Sequence, residues 1–243
     1  MRINSLVETG ELDKLIATLS PDESHHLARV LRVQPGQGIT LFDGRGGVAD
    51  AVVEIVSKTE VKARIEKRWA VPAPKVQIDL IQAVPKPDRW ELVLQKAVEL
   101  GVSNIQPVLT GHTEFRPNPK KQERWEKIVL NAAQQCEVRW LPQLKPLVDF
   151  DAIIPTLGGY DLALVGSLYD GARPLREIPL RQDSGGALVG KVAMLIGPEG
   201  DFTQEEVQSA VEAGAVPVSF GDRILRTETA AIFGLSVLAY ELL

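Results

Sequence analysis

The chain has 243 residues, of which 44% are hydrophobic and 24% charged, and its formal net charge is −5 at pH 7. This mixture is typical of a globular protein and excludes wholesale disorder, and the negative charge argues against a protein that coats nucleic acid through bulk positive charge. One cysteine and three histidines exclude an intrachain disulfide and a cysteine-based zinc cluster, so we expect no metal site.

The first residues lack the apolar core of a secretory signal, because Glu8, Glu11, Asp13 and Lys14 interrupt them. The longest apolar stretch, residues 230–240, is much shorter than the roughly 20 residues that cross a bilayer. We therefore expect a cytoplasmic protein without a membrane-spanning segment.

The first part of the chain, residues 1–72, predicts short strands around one helix. Ser20 and Glu23 form a capping-box pattern, after which apolar residues recur at helical spacing. Alternating runs separated by glycine-rich turns predict strands of a small barrel at 38–42, 48–56 and 61–65. The proline-rich stretch 71–74 is the predicted linker, which divides the chain into domains 1–72 and 73–243.

Strand and helix patterns alternate in the second part, which is typical of an α/β fold with a mostly parallel sheet. Asp88 with Glu91, and Thr203 with Glu206, are the predicted capping pairs of two helices. The predicted strands are 76–83, 105–109, 161–165, 192–196 and 216–220, and the predicted helices are 87–101, 121–136, 203–214 and 227–243.

Three strands of this part end in turns that contain glycine, at Gly166, at Gly197 to Gly200 and at Gly221. Ligands of open α/β sheets bind beyond the carboxyl ends of strands, where backbone hydrogen-bonding groups are free. Neither the dinucleotide fingerprint nor the P-loop pattern occurs. The turns therefore predict a ligand site that is not a phosphate cradle.

The chain carries LIGPEGDFT at 195–203 and ILRTETA at 224–230. Before them come HLARVLR at 26–32, QKAVELGV at 95–102, AAQQ at 132–135 and LP at 141–142. In this order, and over essentially the whole chain, these segments resemble the ribosomal RNA small-subunit methyltransferase E family of the SPOUT superfamily.

The resemblance implies an N-terminal PUA-like barrel and a C-terminal α/β domain with a deep trefoil knot, working as a homodimer. It implies S-adenosylmethionine (SAM) as cofactor, bound in a knot at about 161–243, and N3 of a uridine in 16S rRNA, within the 30S subunit, as the methylated atom. The cofactor-binding residues that it implies are Leu164, Val165, Gly166, Ser167, Leu195, Ile196, Gly197, Pro198, Glu199, Gly200, Ser219, Phe220, Gly221, Ile224, Leu225, Arg226, Thr229 and Ala230.

Methylation at uridine N3 must remove a proton, which calls for a carboxylate base or for a cation that stabilises the developing negative charge. Arg226 is the expected cation, for charge stabilisation or phosphate positioning, and Glu199 the expected proton acceptor, with Glu228 as a further candidate. Alternatively, Arg226 and Glu228 only cap or pair at the start of the final helix.

Expected RNA contacts are basic and local, because phosphate contacts supply most of the affinity for nucleic acid. Four positions depart from the family's usual pattern. His112 and Val138 each lie where relatives have an arginine, Gln134 lies where they have a glutamate, and Asp201 lies where a glycine is common. The expected RNA-binding residues are Arg2, Arg29, Arg32, His112, Arg116, Arg124 and Arg139.

Two other functions stay open on the sequence. The same fold could methylate another RNA target, at a ribose 2′-O atom or at another base. The chain could also be a catalytically silent RNA-binding or ribosome-assembly protein that keeps the fold.

Overall fold

The computed structural model describes residues 3–57, 59–118, 120–180 and 189–243. These residues form a mixed α/β structure, which confirms the predicted fold class. Their contacts divide the chain into two compact units, the first of Met1–Ala73 with Ala133–Leu141 and the second of Pro74–Ala132 with Pro142–Leu243. Segment 133–141, expected in the second domain, thus packs with the first unit. The domain boundaries themselves stay a prediction.

The helices and strands agree closely with the predicted ones and include several short strands that were not predicted. The helices are α1 (Pro21–His25), α2 (Pro87–Glu99), α3 (Lys120–Gln135), α4 (Gln204–Glu212) and α5 (Thr227–Leu242). The strands are β1 (Asn4–Leu6), β2 (Ile16–Thr18), β3 (Gly38–Phe42), β4 (Gly47–Val56), β5 (Val61–Ala70), β6 (Gln77–Ala83), β7 (Asn104–Leu109), β8 (Gln143–Leu144), β9 (Val148–Asp149), β10 (Leu162–Gly166), β11 (Arg173–Pro174), β12 (Lys191–Ile196) and β13 (Val216–Ser219).

The first unit contains a five-stranded half-barrel sheet in the order β1-β3-β4-β5-β2. Only β1 and β3 run parallel, and the other neighbours are antiparallel. Ser20 caps α1 as predicted, since its side chain accepts a hydrogen bond from the Glu23 N–H. The Glu23 carboxylate does not complete the predicted box: it accepts hydrogen bonds from Ser5 Oγ and from Gln134 Nε2 at 2.8 Å.

The second unit contains an all-parallel sheet in the order β11-β13-β10-β12-β6-β7-β8, with β9 also pairing with β7. Its central strands are apolar and buried, as expected for a parallel sheet covered on both faces. Because β10 lies between β12 and β13, the carboxyl ends of these three strands lie side by side. The trefoil knot stays a prediction.

Of the two helix caps predicted in the second unit, the structure contains one and lacks the other. Thr203 and Glu206 form the predicted capping box of α4, with both reciprocal hydrogen bonds present. The predicted capping pair of α2 is wrong: that helix begins at Pro87, which fits the first helical position, and Lys86 is its N-cap residue, without a side-chain cap. In the part of the chain that the structure describes, no helix is long and apolar enough to span a membrane.

Candidate functional site

The three glycine-bearing turns converge on one cavity of about 350 Å³. They follow β10, β12 and β13, whose neighbouring carboxyl ends bring them together. This volume lies within the range of small-molecule sites, roughly 300–1,000 Å³. The lining residues are Gly166, Ser167, Leu168, Ile196, Gly197, Pro198, Glu199, Gly200, Asp201, Ser219, Phe220, Gly221, Arg223, Ile224, Leu225, Thr227 and Ala230.

Apolar side chains and backbone groups share the lining of this cavity. Ile196, Phe220 and Leu225 supply apolar surface, and Phe220 is held edge to face against Phe233 at a centroid distance of 5.7 Å. Gly166, Gly197, Gly200 and Gly221 line the cavity beside these side chains, so backbone forms part of its surface. Such a site suits a ligand that has apolar rings and a polar edge.

The turn after β12 is packed so tightly that Gly197 has no space for a side chain. An added Cβ would lie 2.8 Å from the Phe202 backbone nitrogen and 2.8 Å from Asp201 Oδ1. Beneath this turn, Thr227 Oγ1 donates a hydrogen bond to the Gly197 carbonyl at 2.6 Å and accepts one from Gln82 Nε2 at 3.0 Å. The turn is thereby held from both sides and pre-formed.

Glu199, the expected proton acceptor, is anchored by α2. Its Oε1 accepts hydrogen bonds from Arg89 Nη1 and from the Lys86 backbone N–H, both at 3.2 Å. Arg89 Nε also lies 3.9 Å from Glu228 Oε2. One guanidinium therefore lies between two carboxylates, one lining the cavity and one in the first turn of α5. The side chains of Arg89 and Glu199 are about a quarter exposed, at 28% and 25%.

Arg226, the expected cation, is the N-cap residue of α5 and is exposed. Its side chain makes no capping hydrogen bond, so the alternative finds no support at Arg226, whereas Glu228 does pair, with Arg89, at the start of this helix. Arg226 does not line the cavity. The predicted cation thus lies beside the cavity, with its side chain in solvent.

Most predicted cofactor residues line the cavity. Those that do not are Leu164, Val165, Leu195, Arg226 and Thr229. Leu164, Val165 and Leu195 are fully buried in β10 and β12, below the turns. Four lining residues were not predicted: Leu168, Asp201, Arg223 and Thr227. Each directly follows or precedes a predicted residue in the sequence, so lengthening the predicted segments by one residue would have included them. Arg89, which contacts Glu199, lies far in sequence from every predicted cofactor segment, so lengthening those segments would not have included it.

His112, expected to contact RNA, instead contacts the turn that lines the cavity. Its Nδ1 lies 2.9 Å from the Gly200 carbonyl oxygen and 3.1 Å from that of Asp201. Because carbonyl oxygens only accept hydrogen bonds, Nδ1 is the donor in both contacts. His112 therefore supports the cofactor-side turn, and its ring remains exposed.

The expected RNA-binding arginines of the first unit differ in their surroundings. Arg29 and Arg32 are exposed. Arg139 is only 16% exposed and is already engaged, with Nη1 donating to Asn4 Oδ1 at 3.0 Å and Nη2 lying 3.5 Å from Glu137 Oε2. Arg29 and Arg32 thus match the expected surface cations better than Arg139 does.

In the second unit, Arg116 is exposed, and Arg124 pairs with Glu91 on α2 at 2.6 Å. Arg2 lies outside the described residues. An arginine that already pairs with a carboxylate must lose that partner to contact a phosphate, so Arg116 is the stronger candidate of these two.

Comparisons with known proteins agree with this geometry. The family described as RNA methyltransferase domain matches residues 72–239, and that described as RNA methyltransferase PUA domain matches residues 19–66. The chain is 31% identical over 238 residues to ribosomal RNA small subunit methyltransferase E of Synechocystis sp.. The aligned region covers 97% of this chain and 77% of that protein.

Two solved structures share the whole fold. A putative methyltransferase from Legionella pneumophila in complex with the bound cofactor SAM has a TM-score of 0.89 and 32% identity, covering 99% of this chain and 98% of that one. Ribosomal RNA small subunit methyltransferase E from Neisseria gonorrhoeae, bound to S-adenosyl methionine, has a TM-score of 0.88 and 30% identity, with the same coverage. The chain therefore belongs to the ribosomal RNA small subunit methyltransferase E family.

Proposed function

We propose that this chain is a SAM-dependent rRNA methyltransferase that methylates N3 of a uridine in 16S rRNA, acting as a homodimer on the 30S subunit. The observation that carries the proposal is the convergence of the three turns on one cavity of about 350 Å³. Family membership supports the same reaction class. The uridine N3 target and the homodimer rest on the resemblance described above.

The lining of the cavity fits SAM. Ile196, Phe220 and Leu225 offer an apolar slot for the adenosine, and the backbone groups of the turns can bond its polar edges. The absence of a side chain at Gly197 lets the turn after β12 adopt its closely packed form beside the cavity. When bound, SAM supplies a methyl group that its sulfonium already activates, so the protein mainly has to align the reacting groups.

Two charged side chains are assigned to the uridine. Arg226, exposed at the start of α5, stabilises the negative charge that develops on the base or holds a neighbouring phosphate. Glu199 accepts the N3 proton at Oε2, since Oε1 is occupied by Arg89 and Lys86. Arg89 is then a positioning residue that orients the carboxylate of Glu199.

The target is tested by methyl transfer from labelled SAM to 30S subunits that lack the modification, followed by mass spectrometry of the nucleosides. N3-methyluridine is the expected product. A ribose-methylated nucleoside, or another methylated base, would replace the proposed target. Binding of SAM without transfer to subunits or to 16S rRNA would support a silent RNA-binding protein instead.

The role of Arg226 is tested by Arg226→Ala, with the exposed Arg176→Ala as matched control. Because Arg226 does not line the cavity, we expect the variant to lose turnover while its affinity for SAM is nearly unchanged. A loss of SAM affinity with unchanged turnover at saturation would move Arg226 from the reaction to the cofactor site.

The RNA surface is assigned to exposed arginines, with Arg29 and Arg32 in the first unit and Arg116 in the second. Contacts of this kind position the strand through its phosphates and carry no sequence information.

Sedimentation of the purified chain tests the homodimer, and a monomer at all accessible concentrations would contradict it.

A further inference from the structure

Asp201 joins two of the three turns, at a position where the backbone is left-handed, with φ +59°. Aspartate is among the few residues other than glycine that tolerate this conformation. Its Oδ1 accepts a hydrogen bond from the Phe202 N–H at 2.8 Å, and its Oδ2 accepts one from the Leu168 N–H at 3.2 Å. The carboxylate therefore links the turn after β12 to the turn after β10.

The charge of Asp201 is opposed in part by His112 but by no lysine or arginine of the described residues. Three charged side chains line the cavity, Glu199, Asp201 and Arg223, and Glu199 is paired with Arg89. Both bonds to Asp201 come from neutral backbone N–H groups, and the described part of the chain places no lysine or arginine within ion-pairing distance of it.

Burial raises the pKa of the Asp201 carboxyl, an effect that the two N–H donors and the charge of His112 oppose and that of Glu206 reinforces. Burial therefore makes the ionised form of Asp201 costly. A cationic ligand would offset that cost.

We infer that Asp201 makes the cavity select the sulfonium donor SAM over its demethylated product, S-adenosylhomocysteine. This inference rests on the proposed function. The two ligands share the adenosine and the amino-acid end, but transfer of the methyl group leaves the electron pair of the broken bond on sulfur and removes the positive charge there. A carboxylate in the lining of the cavity favours the cationic donor and lets the neutral thioether leave.

The test is calorimetric titration of the wild type and of Asp201→Asn with SAM and with S-adenosylhomocysteine. Asparagine keeps the size and tolerates the backbone conformation, and its single side-chain oxygen can accept one of the two hydrogen bonds, so selectivity between the ligands is the readout rather than either affinity alone. We expect affinity for SAM to fall about tenfold, the lower end for a charged interaction, and affinity for the product to change less than about twofold. Equal losses for both ligands, or no loss, would overturn the inference.

Two further variants keep the result interpretable. Asp222→Asn removes an exposed charge that neighbours the cavity without lining it, and its selectivity should equal that of the wild type. Asp201→Gly relieves the left-handed backbone and removes the charge, so it should also lose selectivity even if the asparagine variant folds poorly. If the wild type binds neither ligand, the proposed function itself fails, whereas binding of both with unchanged selectivity in the variants contradicts only the role of Asp201.

Discussion

Replacing Gly197 with alanine is expected to weaken SAM binding about ten- to a hundredfold. The new Cβ would lie 2.8 Å from the Phe202 backbone nitrogen and 3.0 Å from the Asp201 carbonyl carbon, whereas carbon atoms in contact normally lie about 3.5–4.0 Å from their neighbours. The turn must therefore move by roughly 0.7 Å. Forcing an extra methyl group into a packed site costs about 1–3 kcal/mol, and each 1.4 kcal/mol is a factor of ten in affinity.

The measurement is calorimetric titration with SAM, with circular dichroism to verify folding. Gly158→Ala is the matched control, because a Cβ at Gly158 meets no atom within 4 Å, and it should bind SAM as the wild type does. A folded Gly197→Ala variant with wild-type affinity would refute the reasoning, since it would mean that the donor does not depend on this turn.

Three other predictions concern Arg89, Asp201 and the exposed arginines of the first unit. Arg89→Ala should lower kcat/KM for methyl transfer about tenfold, and Arg89→Lys should restore much of it. In a double-mutant cycle with Glu199→Gln the two losses should not add, because both variants remove the same contact between Arg89 and Glu199. Additive losses would contradict this. Since burial raises the pKa of Asp201, the ligand-free fold binds this proton more tightly than the unfolded chain. The Tm of Asp201→Asn relative to the wild type should therefore increase as pH rises from about 4 towards 7, and a difference independent of pH would disprove it. Replacing Arg29 and Arg32 with alanine should reduce the slope of log affinity for RNA against log salt by about one for each phosphate that these side chains neutralise, and an unchanged slope would exclude both.

Much of the fold follows from short-range pattern. Continuous apolar runs predicted the central strands β10 and β12, and the alternation of strands with helices predicted a parallel sheet, as the structure confirms. The capping box at Thr203 was predictable because both of its hydrogen bonds join residues three positions apart. The rule that ligands bind beyond the carboxyl ends of strands pointed to the three turns, and the family resemblance implied that they form one pocket.

The features that were missed depend on contacts between residues far apart in the chain. No local pattern tells that Arg89 pairs with Glu199, 110 positions later, or that Gln134 bonds to Glu23. The capping pair of α2 was predicted wrongly for the same reason, although the first helical residue, Pro87, was predicted correctly. The N–H of Lys86 finds its acceptor in Glu199, so a local capping side chain is not needed there.

The extra segment of the first unit, residues 133–141, shows the same limitation. The apolar spacing of α3 predicts the helix correctly, but it does not tell which core the end of the helix joins. Arg139 contacts Asn4, and Trp140 Nε1 donates to the Val71 carbonyl at 3.0 Å. Short strands such as β1 and β2, three residues each, hold too few side chains to produce a detectable alternation.

The central claim is that the turns after β10, β12 and β13 together hold the methyl donor. A crystal structure of the chain grown with saturating SAM tests it most directly. The account predicts density for the donor bounded by Gly166 to Leu168, Ile196 to Asp201 and Ser219 to Leu225. Density for SAM elsewhere on the protein, with this cavity occupied only by solvent, would contradict it.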